Sequence, residues 1–118
     1  MIETFGIGID IVDVNRFKNL DFEKKKEFYK KTFSEDEMKY CLKYKDAYRH
    51  FAGKFALKEA VIKSTNLKIN LSKILTGNNK GKPIINISKK NQYFFIASMS
   101  HEKNHAIAVV ISEKISSK

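Results

Sequence analysis

The stretch YFFIASMSHEKNHAIAVVIS, residues 93–112, carries the decision about the fold. Residues 93–100 and 106–112 are rich in aromatic and β-branched side chains, and the polar run HEKNH between them (101–105) has the composition of a turn. The two segments therefore read as paired strands. The second, AIAVVIS, is apolar on both faces, which predicts a central place in its sheet. Working back from it, Ile85 and Ile87 follow the only proline, Pro83, while Leu67, Ile69 and Leu71 alternate with polar residues, so the strand period sets in soon after residue 65. Before that point the period is helical. Arg49, Ala52, Ala56, Glu59 and Lys63 recur at spacings of 3, 4, 3 and 4, one face of a helix that Asp46 would cap and that runs to about Thr65. Ser34 followed by Glu37 is a capping box, starting another helix at about residue 35. Helices early and strands late make the class α+β.

The first strand covers about residues 4–12, and Asp13 is placed to cap a short helical stretch through Val14, Phe17 and Leu20. In the strand, Phe5, Ile7, Ile9 and Ile11 alternate as a buried face should, and the opposite face reads Gly6, Gly8, Asp10, Val12. Asp10 is either a strand-end carboxylate facing water or a ligand beside the space the glycines clear. The segment DFEKKKEFYKKTF (21–33), with Phe22, Phe28 and Tyr29 as its apolar contacts, reads as a solvated basic helix face in preference to a membrane anchor. On the long helix, Phe51, Phe55 and Ile62 bury much of the remaining surface, and a charged stripe on a buried helix is costly unless partnered. Glu59 and Lys63 either form an ordinary helical ion pair, worth about 0.3 kcal/mol on a surface, or face something held beside the two alanines. His101 and His105 flank a turn with no third ligand motif, which argues against zinc. His101, near Ser98 and Ser100, is an exposed turn histidine or a phosphate or proton-transfer contact. TGNNKGKP (76–83) is an ordinary turn before a strand or a phosphate-holding loop.

A length of 118 residues suits one domain with one core. Hydrophobic residues at 42% and charged residues at 31% are ordinary for a globular protein. The single cysteine, Cys41, excludes an internal disulfide and fits a reducing compartment. No apolar run is long enough to span a bilayer, and the first residues read neither as a secretory signal nor as an Arg-rich transit sequence. The expected location is cytoplasmic, or a plastid if a targeting extension precedes this stretch. The net charge of +10 predicts an anionic partner. With 21 lysines against two arginines, Arg16 and Arg49, nucleic-acid readout is disfavoured, and the aromatics fall at core spacings without a recognised RNA- or DNA-binding signature. Neither nucleic acid nor membrane is expected as partner.

The segments GIGIDIVDVNR, FAGKFALKEAVIKS, GKP and SMSHEKNHAIAVVI resemble, in order and approximate spacing, the holo-acyl-carrier-protein synthases, the small 4′-phosphopantetheinyl transferases. The resemblance runs from Gly6 to Ile111, and its most specific parts are the G-I-G-x-D strand and the later K-E-A-x-x-K. It implies the phosphopantetheinyl transferase fold: an N-terminal strand and helices, one long and central, packed on a mainly antiparallel sheet. It also implies the transfer of phosphopantetheine from coenzyme A to a serine of an apo acyl carrier protein, in fatty acid biosynthesis, with release of adenosine 3′,5′-bisphosphate. Asp10 and Glu59 would bind Mg²⁺, and Lys63, one turn on, would act on the pyrophosphate or relay the serine proton. Arg49, Lys54, Gly81, Lys82, Pro83, His101 and Lys63 would contact coenzyme A, and Arg16 the acidic carrier. Lys54 stands where many members carry arginine, and Glu102 where threonine often follows the histidine. The family's small members are trimers with active sites between subunits, so a homotrimer is expected here.

Overall fold

The computed structural model describes residues 5–87 and 92–115. Strand β1 (Phe5–Asp13) leads into three short helices, α1 (Val14–Lys18), α2 (Lys26–Thr32) and α3 (Glu35–Leu42), and then the long helix α4 (Ala47–Ser64). A 3-10 turn at Leu71–Lys73 precedes the hairpin of β2 (Ile74–Asn79) and β3 (Lys82–Ile87), and a second hairpin joins β4 (Tyr93–His101) to β5 (His105–Lys114). The class is α+β. One antiparallel sheet has the order β1-β5-β4, with the final strand central as its sequence implies, and β2 and β3 form a second.

α4 lies against one face of the three-stranded sheet, over Gly8 and Val12 of β1 and over Ala106, Ala108, Val110 and Ser112 of β5. Small side chains let it come close. A Cβ on Gly6 would stand 1.8 Å from the Ser64 carbonyl oxygen, and one on Gly8 2.0 Å from that of Ala60, so the last two turns of α4 touch the β1 backbone directly. Ser112, opposite Gly6 on β5, donates its hydroxyl to the Ser64 carbonyl at 2.8 Å and satisfies an oxygen that the helix end leaves open. Against the other half of α4 the short helices dock an aromatic cluster. Phe17, Tyr29 and Phe33 are buried with Phe51 and Phe55, with ring centroids 5.3 Å apart for Phe17–Phe55, 4.8 Å for Tyr29–Phe51 and 4.9 Å for Phe33–Phe51. Each such ring contributes about 1.5–3 kcal/mol by leaving water. The lysines of residues 24–31 stay exposed, the solvated basic face expected of that segment.

Two caps form as the sequence implies. Asp13 Oδ1 accepts from Asn15 N at 2.9 Å, and the box closes with Glu37 N donating to Ser34 Oγ at 3.1 Å and Ser34 N to Glu37 Oε1 at 2.8 Å. Asp46 sits at the start of α4, but its side chain makes no cap bond, because its backbone (φ −102°, ψ 72°) is not in the extended conformation that aims a capping oxygen at the helix.

Two further expectations give way. The isoleucine face of β1 is not the buried one: Ile7, Ile9 and Ile11 are 68%, 61% and 62% exposed, and α4 takes the glycine face. Alternation shows that a strand has two faces; the glycines decide which one a helix can approach. The two-sided apolarity of β5 has the same origin, since Ile107 and Ile111 join the isoleucines of β1 and Phe94 and Ile96 of β4 on an open face. Leu67, Ile69 and Leu71 alternate in burial with their polar neighbours, yet residues 66–70 pair with no strand among the described residues; β3 lies beside β4 instead. The β2–β3 turn is Lys80–Gly81, at φ 52° and 83°, a two-residue left-handed turn for which glycine is suited.

Candidate active site

β1 and α4 run side by side in opposite directions, Gly6 against Ser64 and Gly8 against Ala60. Asp10 is the next residue on that face of β1. Lys63 Nζ donates to Asp10 Oδ1 at 3.0 Å and to the Ile9 carbonyl at 3.1 Å. The Asp10 side chain is 15% exposed and that of Lys63 52%. The alternative Glu59–Lys63 pair within the helix does not form, because Lys63 reaches across to the strand. Glu59, half-buried one turn earlier, makes no hydrogen bond or ion pair among the described residues. This donor set is oxygen only, with one carboxylate uncommitted. It fits a hard cation such as Mg²⁺, which takes one or two protein carboxylates and completes its shell with substrate phosphate and water. Among the described residues no three His, Cys, Asp or Glu side chains gather into an all-protein cage. Cys41 is no ligand or nucleophile: it is buried, and burial pushes its thiol up to about 12.

Nearer the N-terminal end of α4 a second set of expected residues meets. A cleft of about 200 Å³ is lined by Arg49, His50, Lys54, Gly81, Pro83 and His101, with further residues of α4, β2 and β4. Arg49 Nε and Nη2 lie 3.2 and 2.9 Å from His101 Nδ1. A guanidinium can only donate, so Nδ1 accepts, and the ring proton of a neutral His101 sits on Nε2. His50 stacks on Tyr44 with centroids 3.8 Å apart, and burial, followed by repulsion from His101 and Arg49, pushes its imidazole below the ordinary value. Lys82 is exposed and outside the cleft lining, and Asp10, Glu59 and Lys63 also lie outside that lining. Arg16 is exposed on α1, its guanidinium 4.9 Å from the Phe55 ring centroid. One chain thus joins Asp10 to Lys63, and gathers Arg49, Lys54, Gly81, Pro83 and His101 in a separate place.

Behind the cleft lies a polar network that the motif reading passes over. Lys58 is fully buried, with Nζ 2.7 Å from Glu37 Oε1 and donating to the Leu71 and Ile74 carbonyls at 2.8 and 2.5 Å. Glu37 Oε2 accepts from Thr76 N at 2.8 Å and from Thr76 Oγ1 at 2.6 Å. Lys54 Nζ donates to Thr76 Oγ1 at 3.0 Å and to the Thr76 carbonyl at 3.2 Å, and sits 4.7 Å from the Tyr40 ring centroid. Burial alone would raise the Glu37 carboxyl, but the Lys58 charge and the hydrogen bonds from Lys58, Thr76 and Ser34 outweigh it and hold the group below the ordinary range. Burial pushes both lysines down. A signal for this network was in the sequence. Lys54 and Lys58 stand four apart on an otherwise apolar stretch of helix, which requires a partner.

Over residues 6–110 the chain matches the family model of the 4′-phosphopantetheinyl transferase superfamily. It is 40% identical over 114 residues to the holo-[acyl-carrier-protein] synthase of Thermodesulfovibrio yellowstonii, covering 94% of this chain and 98% of that protein. It is 41% identical over 115 residues to that of Ehrlichia chaffeensis, covering 90% and 94%. The solved Helicobacter pylori holo-[acyl-carrier-protein] synthase, in complex with coenzyme A, matches with a TM-score of 0.78 at 33% identity, covering 91% of this chain and 99% of that one. The Bacillus anthracis synthase, in complex with CoA (3′,5′-ADP), matches with a TM-score of 0.79 at 29% identity, covering 92% and 96%. A glycine-lined strand pressed on a helix that carries K-E-A-x-x-K, in a fold shared with these enzymes over nearly the whole chain, shows that the chain belongs to the 4′-phosphopantetheinyl transferase superfamily, among its holo-[acyl-carrier-protein] synthases.

Proposed function

We propose that this enzyme moves 4′-phosphopantetheine from coenzyme A to a serine hydroxyl of an apo acyl carrier protein, with Mg²⁺, and releases adenosine 3′,5′-bisphosphate. The observation that carries the reading is the meeting of Asp10 and Lys63 with the uncommitted Glu59 one turn away. Asp10 and Glu59 would hold the metal, which when bound neutralises the pyrophosphate of coenzyme A. The serine hydroxyl gives up its proton to solvent as its oxygen forms the bond to the phosphopantetheinyl phosphorus and the bond to the bridging oxygen breaks. Lys63, already at Asp10, is the cation available to donate to that leaving oxygen as charge develops on it. The nucleotide end suits the cleft, where Arg49, Lys54 and the Nε2–H of His101 supply donors and the Gly81–Pro83 loop supplies a close backbone approach, with Lys82 flanking it.

The two sets of residues are joined in this reading by assembly into a homotrimer, the open sheet face meeting a second copy. Eight exposed apolar side chains support it, Phe5, Ile7, Ile9 and Ile11 of β1 with Phe94, Ile96, Ile107 and Ile111, since an isolated chain rarely leaves such a contiguous surface to water. The exposed Arg16 and the net charge of +10 suit an acidic carrier. A cytoplasmic enzyme of fatty acid biosynthesis, one domain per chain, is the setting this implies. Transfer from a fluorescent coenzyme A analogue to an apo carrier tests the metal assignment. It should need Mg²⁺, stop with chelator, and fall by roughly 100-fold or more in folded Asp10→Ala and Glu59→Ala proteins. Chelator-resistant transfer, or full activity in either variant, contradicts the metal role.

A further inference from the structure

The buried network behind the cleft has no partner in the reaction just proposed, yet it touches that cleft at two points. Lys58, from the middle of α4, is spent entirely on Glu37 and on the carbonyls of Leu71 and Ile74, the residues that lead the chain into β2. Glu37 spends one oxygen on Lys58 and on its own helix cap, and the other on both the amide and the hydroxyl of Thr76 in β2. The Thr76 hydroxyl has one proton, which goes to Glu37, so its lone pair faces the Lys54 ammonium. Lys54 lines the cleft, and so does Gly77, the neighbour of Thr76 on the hairpin that ends in Gly81 and Pro83. Three elements (α3, α4 and the β2–β3 hairpin) are thus tied at one threonine, and no buried side-chain nitrogen or oxygen among the described residues lacks a partner.

We propose that Glu37, Lys58 and Thr76 are positioning residues for the coenzyme. Through the Thr76 hydroxyl they orient the Lys54 ammonium, and through the Thr76 backbone they set the β2–β3 hairpin against α4, so that they govern affinity for coenzyme A and leave the transfer step alone. The inference rests on the coenzyme-binding reading of the cleft. A core that merely stabilised the fold would show its loss in the melting temperature, whereas a positioning role shows in binding at a temperature where the protein is folded.

The test compares Thr76→Val, which keeps shape and removes the hydroxyl, with Thr76→Ser, which keeps the hydroxyl. Coenzyme A binding is read by calorimetry, and KM and kcat by transfer to an apo carrier. Thr76→Val should raise both the Kd and the KM for coenzyme A by roughly tenfold, the effect of one lost hydrogen bond to a charged group. Its kcat should stay within about twofold, and Thr76→Ser should retain near-normal values. Unchanged Kd and KM in Thr76→Val, or a loss of affinity in Thr76→Ser as large as in Thr76→Val, overturns the inference while leaving the proposed reaction in place. No coenzyme binding by the unmodified protein overturns the cleft reading and this inference with it.

Discussion

At the residue scale the account turns on the two glycines of β1. Gly8 is where the strand backbone meets the Ala60 carbonyl, and an added Cβ would stand 2.0 Å from that oxygen, with helix backbone on one side and sheet backbone on the other. Neither can step aside as a flexible side chain would. Gly8→Ala is therefore expected to destabilise the protein by about 3 kcal/mol, at the upper end for overpacking, measured as a shift in urea midpoint at unchanged slope. It should also reduce transfer at temperatures where the fold persists, because the strand that carries Asp10 is pushed off the helix that carries Glu59 and Lys63. The residue types of this site were legible in the sequence, and the alternatives were real ones. What spacing could not supply was the Asp10–Lys63 contact, which joins residues 53 apart in the chain and displaces the local helical pair.

At the scale of elements, the long helix, the capping box and the final hairpin follow from local signals, periodicity and cap chemistry, which are complete within a few residues. The orientation of β1 does not. A strand of alternating isoleucines looks the same whichever face is covered, and only the close approach at Gly6 and Gly8 breaks the symmetry. The same limit hid the second role of Glu37, whose capping spacing is local while its bonds to Lys58 and Thr76 reach residues far along the chain. That role has a pH signature. Glu37 titrates below the ordinary glutamate value of 4.5 in the folded protein. Its stabilising contribution is therefore full above about 4.5 and is lost as the pH falls through the lower, folded value. Stability measured from pH 7 downward should fall through this acid range in the unmodified protein and fall less steeply in Glu37→Gln. At neutral pH the variant should be weaker by about 3 kcal/mol, since Lys58 would be left buried without its counter-charge. Parallel pH profiles for the two proteins would refute the assignment.

At the scale of the whole molecule, the apolar face of the three-stranded sheet and the division of the site residues into two places point the same way. Substituting Ile9→Lys at the middle of β1 puts a charge on the open face without touching the side packed on α4. The proposed trimer should then fall to monomer in sedimentation, with the helical circular dichroism kept and transfer lost; a monomeric unmodified protein with full activity would contradict assembly as the way the site is completed. The expectation of an anionic partner, read from charge alone, acquires a direction only once Arg16 and the cleft are placed on the fold. The central claim, phosphopantetheine transfer, is tested most directly by the intact mass of an apo acyl carrier protein after incubation with this protein, coenzyme A and Mg²⁺. The account predicts that the carrier gains one 4′-phosphopantetheine on its serine and that chelator prevents it; a carrier whose mass does not change, in a mixture where a known synthase modifies it, would contradict the account.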